Sequence, residues 1–363
     1  MVNRAKTHCP KNNTARRGYR CNARMRLYAG WGVSAMVLAM VIGTVVYADQ
    51  PDPYLRAIDD PHRKQKSIVL AIDDPLEQQK TTVRDVFGEY AIRGTKIHSA
   101  SIRSMINTGI TKLADRSDPN QAWRRFIHDE DIVALKFTRV GSQALGTNHS
   151  LAVLLLQCLE HAGFQRDRIM IVGLDNWNPQ QHGTRPWNYG WQKKQADLGS
   201  DHDYLAQWLD EVTAIINIPS IMDDNIIGLR CALANLSLPL LKRPARLYKN
   251  RGDPFIVEVY DLPQIRGKVR LHIANALRIL YYGGPHVHPT YTYERGTLIF
   301  SRDGVALDRV ALEILHTLRR DQPMPPNVSD RLFAPYLDTA YAMGLGYNDL
   351  NFIEYQRTNL DKW

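Results

Sequence analysis

Three groups of residues have the types and spacing that chemistry needs. The first is a set of polar side chains at the ends of apolar runs: Lys136, Asp175, Asn217, Asn275 and Asp303. Lys136 together with Arg230 could clamp a carboxylate or phosphate, the arginine offering a planar two-pronged donor set. The plainer use of each is a pair with a nearby Asp for Lys136 and a wet helix face for Arg230. The second group is acidic. Asp175, Asp303 and Asp308 could form a general base or a metal site, because carboxylates brought together raise one another's pKa. Asp303 stands directly before a helical run that begins at Gly304, so helix capping is its commoner use. The third group is His286 and His288, in Gly283-Gly284-Pro285-His286-Val287-His288. Residues two apart on an extended chain face one way, so both imidazoles could reach one zinc or copper ion if a third ligand came from elsewhere.

These residues are positioned by alternating strand and helix patterns. The runs at 131–137, 168–173, 212–218, 269–275 and 297–301 read as strands. Leu151, Leu154, Leu155, Cys158, Leu159 and Ala162 recur at helical spacing, with Thr147 or Asn148 as the cap and Gly163 as the stop. Further helices are expected over 102–113, 204–209, 307–318 and 333–343. The stretch Asn217–Ser237 reads as a strand end, a polar turn and a helix-like segment. Residues 176–200, with Trp177, Trp187, Tyr189 and Trp191, form either a ligand-facing lid or packing over a sheet edge. The pattern predicts an α/β fold, a mostly parallel sheet with helices on both faces. Ligands in such folds bind beyond the carboxyl ends of the strands, where the first group falls.

The formal net charge of +9 is confined to one end. Residues 1–26 hold eight of the 46 Lys and Arg and no acid, leaving 38 basic against 37 acidic residues after them. That distribution argues against nucleic acid as a partner. A basic tail followed by the uncharged run 27–48 is instead the arrangement of an export signal. Cleavage after Ala48 is the expected outcome, with Met25 as the expected start; the alternative is a retained membrane anchor through residues 27–47. The expected organisation is residues 1–48 as tail plus signal or anchor, 49–80 as a polar linker, and 81–363 as one α/β domain. The linker contains a repeat, Ala57–Pro61 and Ala71–Pro75, whose Asp-Asp-Pro ends suit turns better than calcium. Cys158 and Cys231 follow the signal with no C-x-x-C spacing, so no iron–sulfur cluster is expected and no cofactor is identified. No G-x-S-x-G, Walker or G-x-G-x-x-G motif occurs.

From about Met105 to Ile353 a set of short landmarks follows in order. They are D-I-V-A-L-K-F at 131–137, T-N-H-S-L-A-V at 147–153, H-A-G-F at 161–164, I-M-I-V-G-L-D at 169–175 and N-I-P at 217–219. Then come Asn235-Leu236-Ser237, L-P-Q-I-R-G-K at 262–268, Gly283-Gly284-Pro285, S-R-D-G-V-A-L-D at 301–308 and Gly344-Leu345-Gly346. Their order and spacing resemble a known family, domain of unknown function 362. The resemblance implies an α/β fold and frequent export in bacteria, to the periplasm or cell envelope, but no reaction. Some members carry ferredoxin-like cysteine clusters, which this chain lacks. It also departs from the family pattern: a lysine and a histidine are replaced by Met222 and Asp224, a small hydroxyl residue by Arg230, and a second lysine by Ala234. An aspartate is replaced by Asn275 and a proline by Gly304.

The expected function is therefore binding, with or without transformation, of a small anionic molecule by Lys136, Asp175, Asn217, Arg230, Asn235, Asp303 and Asp308. The alternative is a non-catalytic envelope module that kept the fold, lost the charged set and binds a protein partner.

Overall fold

The computed structural model describes residues 80–94 and 96–360. The expected signal or anchor and all but the last residue of the 49–80 linker lie outside these. In chain order the main elements are β1 (Thr81–Gly88), α1 (Ser99–Ala114), β2 (Val133–Phe137), α2 (Asn148–His161), β3 (Ile169–Val172), β4 (Ala214–Ile218), β5 (Ser220–Asp224) and β6 (Gly228–Arg230). They continue as α3 (Ala232–Asn235), β7 (Val269–Leu280), β8 (Thr292–Ser301), α4 (Gly304–Asp321), α5 (Tyr336–Ala342) and β9 (Ile353–Leu360).

These strands form one nine-stranded sheet in the order β9-β1-β8-β7-β4-β2-β3, with β5 beside the far half of β7 and β6 paired to β5. Neighbours β9/β1, β7/β4, β7/β5, β4/β2 and β2/β3 run parallel. The antiparallel pairs are β1/β8, β8/β7 and β5/β6. The sheet is thus mixed and mostly parallel, and the strand expected at 297–301 is an antiparallel one. β2, α2 and β3 form the βαβ unit that their spacing predicts, with β2 and β3 adjacent and parallel.

Strands buried on both faces alternate between two cores. Leu135, Ile216, Ile273 and Phe300 pack under α1 and α2, whereas Ala134, Ile215, Ala274 and Ile299 pack under α4 and α5. Helices therefore cover both faces. Among the described residues no helix is long and apolar enough to cross a membrane.

Three local expectations change and one is narrowed. Asn217–Ser237 holds more strand than a strand end, a polar turn and a helix-like segment: only Pro219 separates β4 from β5, a tight hairpin joins β5 to β6, and α3 is four residues long. Pro219 has no N–H to give a ladder, but its carbonyl accepts from Asn275 N at 2.7 Å, so β7 spans the break. Residues 204–209 are not an α-helix. Leu205 and Ala206 bridge to Leu241 and Trp191, which holds them extended and leaves a 3-10 turn at Gln207–Asp210. Neither Thr147 nor Asn148 caps α2 through its side chain; Thr147 is the capping residue by position only. The 176–200 segment, finally, packs against the open edge of β3. Arg185 N donates to Ile169 O at 2.8 Å and Trp187 Nε1 to Ile171 O at 2.9 Å, satisfying an edge that would otherwise stay unpaired.

Candidate functional site

Lys136 on β2, Asn217 on β4 and His272 on β7 are register partners on adjacent parallel strands. Since side chains alternate along a strand, all three point to the α3–α4 face, forming one polar row across the sheet. Asn217 Nδ2 donates to His272 Nδ1 at 3.0 Å and to Ala232 O, in α3, at 3.0 Å. Asn235, at the other end of α3, donates through Nδ2 to Asn217 Oδ1 at 2.7 Å and to Lys136 O at 3.1 Å. Its Oδ1 accepts from Lys136 Nζ at 3.0 Å, and Nζ also donates to Phe137 O at 2.7 Å. The two asparagines therefore lock a one-turn helix onto the row.

Burial disfavours the charged form of both ionisable members of the row. Lys136 is only 2% exposed, and burial, with Arg139 nearby, brings its amine down to about 7. Burial takes His272 down to about 3. With Nδ1 accepting from Asn217, the imidazole proton sits on Nε2, which has no hydrogen-bond partner among the described residues. Gly304 lies against that ring: a Cβ there would come within 2.9 Å of His272 Cε1 and 3.0 Å of Nε2. The glycine at the family's proline position thus leaves room for the imidazole.

Asp303 and Asp308 act as helix caps. Asp303 Oδ1 accepts from Val305 N and Ala306 N, both at 2.9 Å, and Oδ2 accepts from Tyr347 N at 3.0 Å. Asp308 reaches out of α4 to accept from Ala232 N and Leu233 N at the start of α3. Each satisfies donors that a helix start leaves free. Burial pushes Asp303 up to about 6 and Asp308 to about 7, against the opposing pull of those backbone donors.

On the opposite face a second polar cluster replaces the expected cap of α2. Asn275 Nδ2 donates to Thr147 Oγ1 at 2.8 Å and to Asn148 Oδ1 at 2.7 Å. Thr138 Oγ1 accepts from Ser220 N at 3.0 Å. An aspartate at 275 has no N–H to give, so the departure to asparagine matches this geometry.

The remaining sequence candidates lie apart from the row. Asp175 sits on the surface, 2.9 Å from Arg139 Nε. Arg230 belongs to the β5–β6 hairpin: its Nε donates to Asp224 Oδ2 at 2.6 Å and its NH2 group to the Tyr248 hydroxyl. It is therefore neither on a wet helix face nor a direct partner of Lys136. Asp224 Oδ1 also accepts from Ile226 N and Ile227 N, closing the hairpin turn. Met222 and Ala234 are buried in apolar contacts, so two expected cationic positions are core. His286 and His288 are exposed. Among the described residues no group of three or more His, Cys, Asp or Glu side chains is placed to hold a metal ion, so no third ligand joins that pair. Cys158 and Cys231 are both buried and free.

Sequence reading passed over His272 and the buried pair Asp223–Arg319, whose atoms lie 2.9 Å apart. His272 had a signal, a polar residue inside an apolar strand run. Arg319 had none, because its partner lies 96 positions away.

The fold and this row define an α/β protein whose polar centre lies at the carboxyl ends of parallel strands. Residues 171–313, from β3 into α4, match the family model described as domain of unknown function (DUF362). The landmarks in β2, α2 and the 344–346 turn fall outside the matched span. No curated protein matches the chain.

Proposed function

We propose that this is an exported envelope protein that binds a small anionic molecule at the carboxyl ends of β2, β3 and β4, with Lys136 as the charged anchor. One observation carries the reading. Lys136 is buried, its partners are neutral oxygens, and no carboxylate lies within ion-pair distance of it among the described residues. A buried amine in that state gains more from an arriving anion than a surface lysine does, because little water competes. Gly173 brings the end of β3 beside the amine without a side chain: a Cβ there would lie 3.5 Å from Nζ. Arg139, on the surface and leaning on Asp175, supplies a second cation at the rim. Asn217, Asn235, Asp303 and Asp308 support the site by holding α3 and α4, and Arg230 braces the adjoining hairpin. Export rests on the basic and then uncharged order of residues 1–48.

Thermal-shift screening of small carboxylates and phosphates tests this. An anion that stabilises the wild type should do so less at pH 9 than at pH 6.5, since the anchor must take up a proton to bind, and should fail on Lys136→Met. An equal shift in that variant places the pocket elsewhere.

A second reading, a non-catalytic interaction module, is favoured by the structural duties of Asp303 and Asp308 and by the rings left outside the 176–200 segment. Tyr189 is 78% and Trp191 38% exposed, whereas Trp187 is tied to β3. Pull-down from envelope extract with Tyr189 and Trp191 replaced tests it: a partner retained through both changes counts against this surface.

A further inference from the structure

At the β9 edge of the sheet, separated from Lys136 by β7 and β4, lies a groove of about 990 Å3. Its floor is Phe87 of β1, Arg295 of β8, and Tyr355 and Arg357 of β9; α4 forms a wall through Val310 and Ile314. We infer that this groove is a binding site for a carboxylate carried on an apolar, preferably aromatic, body, with Arg357 as its anion anchor.

Arg357 holds its guanidinium 4.9 Å from the Phe87 ring centroid and makes no hydrogen bond or ion pair among the described residues. The ring attracts the cation without using its N–H groups, which leaves them for a two-pronged acceptor. The other charges around the groove are already matched. Arg295 is bound to the buried Asp85 at 2.7 Å. Glu294 pairs with Arg278 at 2.8 Å, Glu313 with Arg309 at 2.7 Å, and Asp321 lies 3.7 Å from Arg320. Glu89 is also engaged. An anion entering here thus meets one uncompensated cation.

The apolar half of the ligand follows from what the same groove exposes. Tyr293, Leu350 and Tyr355 belong both to its lining and to the large apolar side chains left open on the surface. Concave apolar surface with a single directional charge is the usual composition of a small-molecule site, and the volume suits one.

Calorimetric titration of the full chain with 1-naphthoate, and with neutral 1-naphthalenemethanol as control, tests the site. The wild type should bind naphthoate saturably, Arg357→Gln at least about tenfold more weakly, and Lys136→Met as the wild type does. The alcohol should bind both wild type and Arg357→Gln weakly and equally. Arg357 is exposed, so the variant should keep the wild-type circular dichroism and melting temperature. Equal naphthoate binding by wild type and Arg357→Gln overturns the inference, as does the absence of saturable binding at millimolar concentration. Loss in Lys136→Met alone also overturns it and moves the anion to the carboxyl end of β2.

Discussion

Arg230 and Asp224 are partners: Arg230 Nε donates to Asp224 Oδ2 at 2.6 Å across the β5–β6 hairpin. Read singly, Asp224 stands where the resembled family has a histidine and Arg230 is a candidate cation for the site. Together they staple the hairpin, with Tyr248 beside the guanidinium.

The pair is nearly buried, with side-chain exposures of 9% and 1%, so removing one member strands the other. Arg230→Met should cost about 3–5 kcal/mol. Asp224→Asn, which keeps an oxygen for the turn, should add less in the Arg230→Met background than alone, with a coupling of about 2 kcal/mol. Urea unfolding of the four proteins measures the cycle; additive losses would show that the two side chains do not interact.

Lys136 makes stability depend on pH with a defined sign. Its folded value of about 7 is below the ordinary 10.5, so between those values the unfolded chain binds more protons and stability rises with pH. Relative to Lys136→Met, the wild type should gain up to about 1.4 kcal/mol per pH unit above pH 7. Parallel wild-type and variant slopes in urea unfolding at pH 7, 8 and 9 would refute this.

Asn275→Asp tests whether the amide is needed. The carboxylate would face Asn148 Oδ1, now a hydrogen-bond acceptor at 2.7 Å, in a buried setting. The expected loss is about 1–3 kcal/mol at neutral pH, shrinking in acid as the new carboxyl protonates. A variant as stable as the wild type would mean that the Asn148 amide turns over freely.

Gly304→Ala should destabilise by about 1–3 kcal/mol, because its Cβ would press on the His272 ring. The same substitution in a His272→Ala background should cost clearly less. Equal costs by thermal or urea unfolding would remove the steric link between the two residues.

Cys158 and Cys231, the two cysteines among the described residues, are buried, and burial raises their pKa, Cys158 to about 11. Neither should react with a thiol reagent in the native protein, and both should react in denaturant. Prompt native labelling of either, located by peptide mapping so that Cys9 and Cys21 are told apart from them, would contradict this placement.

Much of the fold could be read from local pattern. β2, α2 and β3 are strongly periodic, and α4 shows its apolar stripe and its Asp303 cap within four residues of one another. β1 and β9 were not foreseen. β9 is an edge strand of mixed polar residues, Ile-Glu-Tyr-Gln-Arg-Thr-Asn-Leu, whose pairing comes from β1, some 270 positions earlier. With those strands went the groove that holds Arg357. The 204–209 helix failed for a related reason, since cross-bridges from Trp191 and Leu241 override a short helical pattern.

The sequence alone determined the α/β alternation, the polar residues at the strand ends and the family-like landmarks of the central stretch, because period and landmark order are properties of neighbouring residues. What those polar residues do was decided by tertiary structure. Strand register set Lys136, Asn217 and His272 in one row, and α3 folded back to present Asn235 to it. Asp308 was turned from a candidate base into the cap of a helix some 75 residues away. The reason is physical: a buried polar group must find partners wherever the fold brings them, and distance along the chain does not record who they are.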